Sequence, residues 1–133
     1  MTSLKASKPT EILINTGTTI LKPSGPKNHL FTVLFSENNE GNVLIAPFTT
    51  QRHPFFDKSC IIEPGEHSFI NEASYINYYF CESLKPADLI SGINSGIYKI
   101  KDPVSSILLQ KIQNGYRISE EVRKYIYKEW PQK

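Results

Sequence analysis

The sequence predicts an α+β fold: a small, strongly bent antiparallel sheet or half-open barrel, followed by two helices packed on one side. Three observations carry this. Short runs of β-branched and aromatic residues, separated by Gly, Pro and Asn clusters, fill the chain as far as Ile100. Beyond Asp102 the apolar period changes to helical spacing. Strands first and helices afterwards is the order of an α+β domain.

Residues 1–9 are polar and end at Pro9, and they read as a disordered lead-in to one domain over residues 10–133. Thr18 to Leu21 is a short β-prone run. The segment Lys22-Pro23-Ser24-Gly25-Pro26-Lys27-Asn28 is dense in turn formers and reads as a loop. His29 to Phe35 is a buried strand, and Glu37 to Asn42 is the hairpin loop that returns it to a strand from Val43 to Phe48. Pro47 cannot donate a ladder hydrogen bond, so that strand should leave the ladder there or lie at an edge. Cys60 to Glu63 is a short strand stopped by Pro64-Gly65. Ser74 to Leu84, rich in Tyr, Ile and Phe, reads as one long strand with a bulge, ended by Lys85-Pro86-Ala87-Asp88. Ser95 to Ile100 is the last strand.

Asp102-Pro103 has the form of a helix start, with Asp as N-cap and Pro in the first turn. Val104, Ile107, Leu108 and Ile112 give the apolar stripe, and Gly115 stands where a C-terminal glycine would end it. A second helix starts from Ser119, with Val122, Tyr125, Ile126 and Trp130 on one face, and Pro131 closes it.

At 133 residues the chain can bury a core without disulfides or metals. Two cysteines, Cys60 and Cys81, make a poor disulfide framework. A net charge of +2, with the basic residues spread out, permits nucleic-acid binding without arguing for it. No apolar run is long enough to span a bilayer, and Lys5 and Lys8 are followed by no signal-like apolar segment. The expected location is the cytoplasm, with no membrane partner.

The stretch from Asp57 to Tyr78 gathers an acid, a thiol, an imidazole and hydroxyls around a Pro-Gly turn next to a strand end, where loops carry function. Pairing Phe35 with Val43 across the hairpin sets His29 opposite Thr49. An imidazole and a hydroxyl at one strand end can move a proton and anchor a phosphate oxygen; they can equally be a capped strand end. Cys60, His67 and Asp57 have the residue types of a thiol nucleophile with base and orienter, but Cys60 sits in a strand-like run and reads as a buried, unreactive thiol. His53, Cys60, His67 and Cys81 lack the short ligand spacings of a zinc site, so neither metal nor other cofactor is expected. Phe69, Tyr79 and Phe80 are expected in the core. Tyr75 and Tyr78 are open, because a buried Tyr needs a partner for its hydroxyl.

Gly17-Thr18-Thr19-Ile20-Leu21, the Pro/Gly loop, Leu30-Phe31-Thr32-Val33-Leu34, and Val43-Leu44-Ile45-Ala46-Pro47-Phe48-Thr49 together resemble the PemK/MazF-like toxins of bacterial toxin–antitoxin pairs. The later Gly96 to Ile112, a short strand and then an amphipathic helix, is similar to the family's ending. The resemblance implies a small SH3-like barrel and metal-independent cleavage of single-stranded RNA. It also implies a small antitoxin protein and a second copy of the chain as partners. The family's Thr or Ser after the third strand matches Thr49. His29 stands where the family has an arginine, and Thr18 where it has an aspartate. Histidine supplies acid–base chemistry near neutral pH but no bidentate phosphate clamp.

The sequence reading is therefore a toxin-type endoribonuclease. His29 and Thr49 are its catalytic residues, with His67 as a further acid or base. Lys27, Thr50, Arg52, Asp57 and Tyr75 contact the substrate. A non-catalytic barrel that binds a protein or nucleic acid is the second reading, with the loop from Asp57 to Tyr78 as its recognition surface. A thiol hydrolase built on Cys60 and His67 is the third.

Overall fold

Alternation along the central hairpin divides the apolar side chains between two faces. Leu30, Leu34, Leu44, Ala46 and Phe48 point to one core; Phe31, Val33, Val43 and Ile45 point to another. A computed structural model describes residues 12–133, so the expected lead-in at residues 1–9 lies outside the described residues. The elements are β1 (Thr19–Ser24), β2 (Lys27–Phe35), β3 (Val43–Thr50), β4 (Ile61–Ile62), β5 (Ser74–Ile76), β6 (Glu82–Leu84), α1 (Pro86–Asn94), β7 (Lys99–Lys101), α2 (Ser106–Ile118) and α3 (Lys124–Glu129). The fold is α+β, with seven strands in one antiparallel sheet and three helices.

The strands run in the order β4-β5-β3-β2-β1-β7, with β6 also paired to β3, and the sheet is not closed. Buried on both faces, it carries helices on both. Leu108 and Ile112 of α2 and Ile126 of α3 cover the larger core, and Leu89 of α1 covers the smaller. Each fully buried Leu or Ile contributes about 1.5–3 kcal/mol. The expectation of helices on one side only is corrected by α1. Pro86 occupies the first turn of that helix, where its missing N–H costs nothing, instead of ending a strand.

The Lys22–Asn28 segment is not an open loop. β1 and β2 continue until Ser24 faces Lys27, leaving only Gly25-Pro26 as the turn. Gly25 has φ +66°, which together with proline's negative φ gives the sign pattern of a type II′ hairpin turn. β3 changes partner along its length: β6 faces its first half from Val43 to Ile45, and β5 faces Phe48 to Thr50. Five residues separate Ile76 from Glu82, where two separate Ile45 from Phe48. The excess is looped out as a 3₁₀ turn at Tyr78–Phe80. The single strand expected from Ser74 to Leu84 is thus two short strands around that turn.

The helix expected from Asp102 starts at Ser106. Ser105 is its N-cap, accepting from the Leu108 N–H at 3.1 Å, while the Asp102 carbonyl and carboxylate are engaged by His67 and Ser68. The helix runs through Gly115 to Ile118. A Cβ at Gly115 would meet the Tyr78 hydroxyl, the Cys60 Cβ at 2.8 Å and the Ser59 carbonyl at 3.0 Å, so this glycine permits close packing instead of a stop. Tyr78 is fully buried there and donates to the Ile112 carbonyl at 2.6 Å. The last helix begins at Lys124, with Val122, Ile126 and Trp130 buried and Tyr125 exposed.

Candidate functional site

The hairpin brings the two residues of the strand-end pair together. Phe31, Thr32 and Val33 face Pro47, Ala46 and Ile45, the register expected; a bulge after Val33 then moves Phe35 opposite Leu44 instead of Val43. The β2–β3 ladder ends at Phe31–Pro47, where proline has no N–H to give. His29 and Thr49 lie two residues beyond that last pair, on the same face by alternation. Both line a cleft of about 420 Å³ and a smaller adjoining cavity of about 280 Å³.

Lys27, Thr50 and Arg52 line the larger cleft as well, along with Phe69, Asn71, Glu72 and Ser74. Arg52 and Glu72, both exposed, form an ion pair at 3.8 Å, worth at most about 1 kcal/mol in water. The smaller cavity is walled by Ser24, Gly25, Pro47, Asn77 and Phe80. His29 is half-buried, and its Nδ1 is shut off from solvent with no hydrogen-bond partner among the described residues. The ring edge that can meet a ligand therefore carries Nε2. Burial, and then the nearby Lys27 charge, holds the imidazole below its ordinary value. The neutral, basic form is the one present at neutral pH.

His67 is not part of this cleft. It is buried, its Nδ1 accepts from the Phe69 N–H at 3.0 Å, and its Nε2 donates to the Asp102 carbonyl at 2.6 Å. With both ring nitrogens occupied it ties the 63–70 loop to the segment before α2 and leaves neither nitrogen free for a substrate. Asp57 is also a structural tether: it accepts from the Ser59 N–H at 2.9 Å and from the Ser119 hydroxyl at 2.6 Å. Tyr75 faces Thr49 in the ladder, but its ring packs on Phe56 at 4.8 Å, away from the cleft lining.

Burial pushes the Cys60 thiol up to about 11, against a smaller lowering by Lys111. A thiol held there carries almost no nucleophilic thiolate at neutral pH. Cys81 is a buried free thiol as well. His53 is exposed and caps its own loop, its Nδ1 accepting from the Phe55 N–H at 3.2 Å. Among the described residues no group of three or more His, Cys, Asp or Glu is placed to hold a metal ion, and no helix is long and apolar enough to cross a membrane.

Phe69, Tyr79 and Phe80, expected in the core, are exposed by 45%, 43% and 49%. They flank the cleft, and sequence reasoning missed them as site residues. The available signal was their place beside Gly65-to-Asn71 and Asn77 turn residues. Compared with protein-family models and with curated proteins, the chain matches neither a family model nor a curated sequence.

Proposed function

We propose that this protein is a metal-independent endoribonuclease acting on single-stranded RNA at the His29–Thr49 cleft. The observation that carries the reading is the meeting of a neutral imidazole and a hydroxyl in one open groove beside Lys27 and Arg52. In the reaction His29 Nε2 takes the proton of a ribose 2′-hydroxyl, whose oxygen then attacks the adjacent phosphorus. The bond to the 5′-oxygen breaks, and that oxygen leaves with a proton from water in the open cleft. The products are a 2′,3′-cyclic phosphate and a free 5′-hydroxyl. The Thr49 hydroxyl donates to a phosphoryl oxygen, and Lys27 and Arg52 offset the negative charge that develops there.

The resemblance to PemK/MazF-like toxins supports the same reading. On it, the bent sheet is an SH3-like barrel left open between β4 and β7, and the partners are a small antitoxin that fills the groove and a second copy of the chain. The Arg52–Glu72 pair favours a second reading, a non-catalytic binding module, because it withdraws one cation from the phosphate. An RNA oligonucleotide with one 2′-deoxyribose separates the two. Cleavage at every linkage except the one after the deoxyribose, with cyclic phosphate ends, is the expected result. Intact RNA after long incubation rejects the nuclease.

A further inference from the structure

Large rings in water gain nothing for folding, so their grouping asks for a reason. Tyr79 and Phe80 meet edge to face at 5.1 Å on the 3₁₀ turn. The Arg123 guanidinium, from the far end of the chain, lies over both at 4.6 and 5.8 Å, and over exposed Tyr125 at 5.3 Å. The Arg123 Nε–H donates to the Tyr79 carbonyl at 2.9 Å, which fixes the plane of the guanidinium. Phe80 then enters the wall of the smaller cavity beside His29 and Thr49. On the other side Phe69 lines the larger cleft, with the Lys101 ammonium 5.4 Å from its ring. An exposed ring with a cation beside it thus stands at each end of the groove, and His29 and Thr49 lie between them.

We infer that the groove is a single-strand track in which an unpaired base stacks on Phe80 and another on Phe69, with Arg123 and Lys101 meeting the flanking phosphates. This rests on the reading of the His29–Thr49 cleft as an RNA site, not on the cleavage step itself. Stacking on aromatic side chains within a cationic groove is how unpaired nucleic acid is held without sequence readout. Charge favours a polyanion over an apolar peptide. The charged residues lining the two cavities are Lys27, Arg52 and the paired Glu72, and the rings add Arg123 and Lys101.

The test uses the full chain and a fluorescein-labelled single-stranded oligodeoxynucleotide of about ten residues, which lacks the attacking 2′-hydroxyl and so reports binding alone. Phe80→Ala and Phe69→Ala should each weaken binding by about 5- to 100-fold, the loss of one stacked base. Phe80→Trp should restore it, and His29→Ala should bind within about twofold of the native chain. Both rings are exposed, so circular dichroism should stay unchanged. Equal affinity of the native chain and both alanine variants overturns the track, as does tighter binding of a proline-rich peptide than of the oligonucleotide. If the native chain leaves RNA intact while the ring variants lose affinity, the cleavage reading fails and the track stands.

Discussion

His67 shows how a reactive residue type can be spent on structure. Its ring joins the Phe69 N–H to the Asp102 carbonyl, and truncation leaves both groups unpaired in a poorly hydrated place. His67→Ala should cost about 1–3 kcal/mol in urea unfolding and leave the rate of RNA cleavage per folded molecule unchanged; a large loss of rate at full stability would return it to the chemistry. His29 is the opposite case, a ring with one nitrogen unpaired and a cation nearby. Its folded value is depressed, so the neutral form persists below the ordinary value of about 6.5. Stability linked to it is fully present above that value and is lost as pH falls through the lowered one. The acid limb of the cleavage profile should therefore lie below pH 6.5. Removing the charge with Lys27→Met should move that limb upward toward it, and a downward shift would contradict the assignment.

At the scale of elements, Gly115 is the sharpest case. Alanine is the better helix former by about 1 kcal/mol, yet its Cβ would run into Tyr78, Cys60 and the Ser59 carbonyl. Overpacking of this kind costs about 1–3 kcal/mol, so Gly115→Ala should lower the thermal midpoint, whereas a gain in stability would show that α2 shifts freely. The same residue marks the limit of the sequence. The β2–β3 register was legible because apolar alternation on both strands admits one pairing, and Pro47 marked where it ends. Gly115, Asp102-Pro103 and Pro86 were each read by local rules of helix ends, and each is governed by contacts with distant segments. Those contacts are Tyr78 against Gly115, His67 against Asp102, and the Leu89 face of α1 against the second core. The site was legible at His29, Thr49, Thr50, Lys27 and Arg52, which follow from the hairpin. Phe69 and Phe80 were not, since no local pattern says which side of a looped-out turn meets water.

Across the molecule, two carboxylates tie the helices to the sheet side. Burial raises Glu66, but the Glu63 N–H and Lys111 of α2 outweigh it. Burial raises Glu129 of α3 too, and Asn42, Asn38, Ser83 and Lys85 outweigh it. Both lie below the usual carboxylate value, so their contribution is complete above about pH 4.3 and is lost as pH falls through the lowered values. Urea stability should drop below that pH, and less steeply in the Glu66→Gln, Glu129→Gln double variant; equal slopes would assign acid unfolding to other groups. The two helix faces held by these ties leave one open groove with an imidazole at its centre. The decisive measurement is the cleavage rate of single-stranded RNA by His29→Ala against the native chain, with folding checked by circular dichroism. A fall of about a hundredfold or more is the result expected for a lost proton carrier, and an unchanged rate would contradict the account.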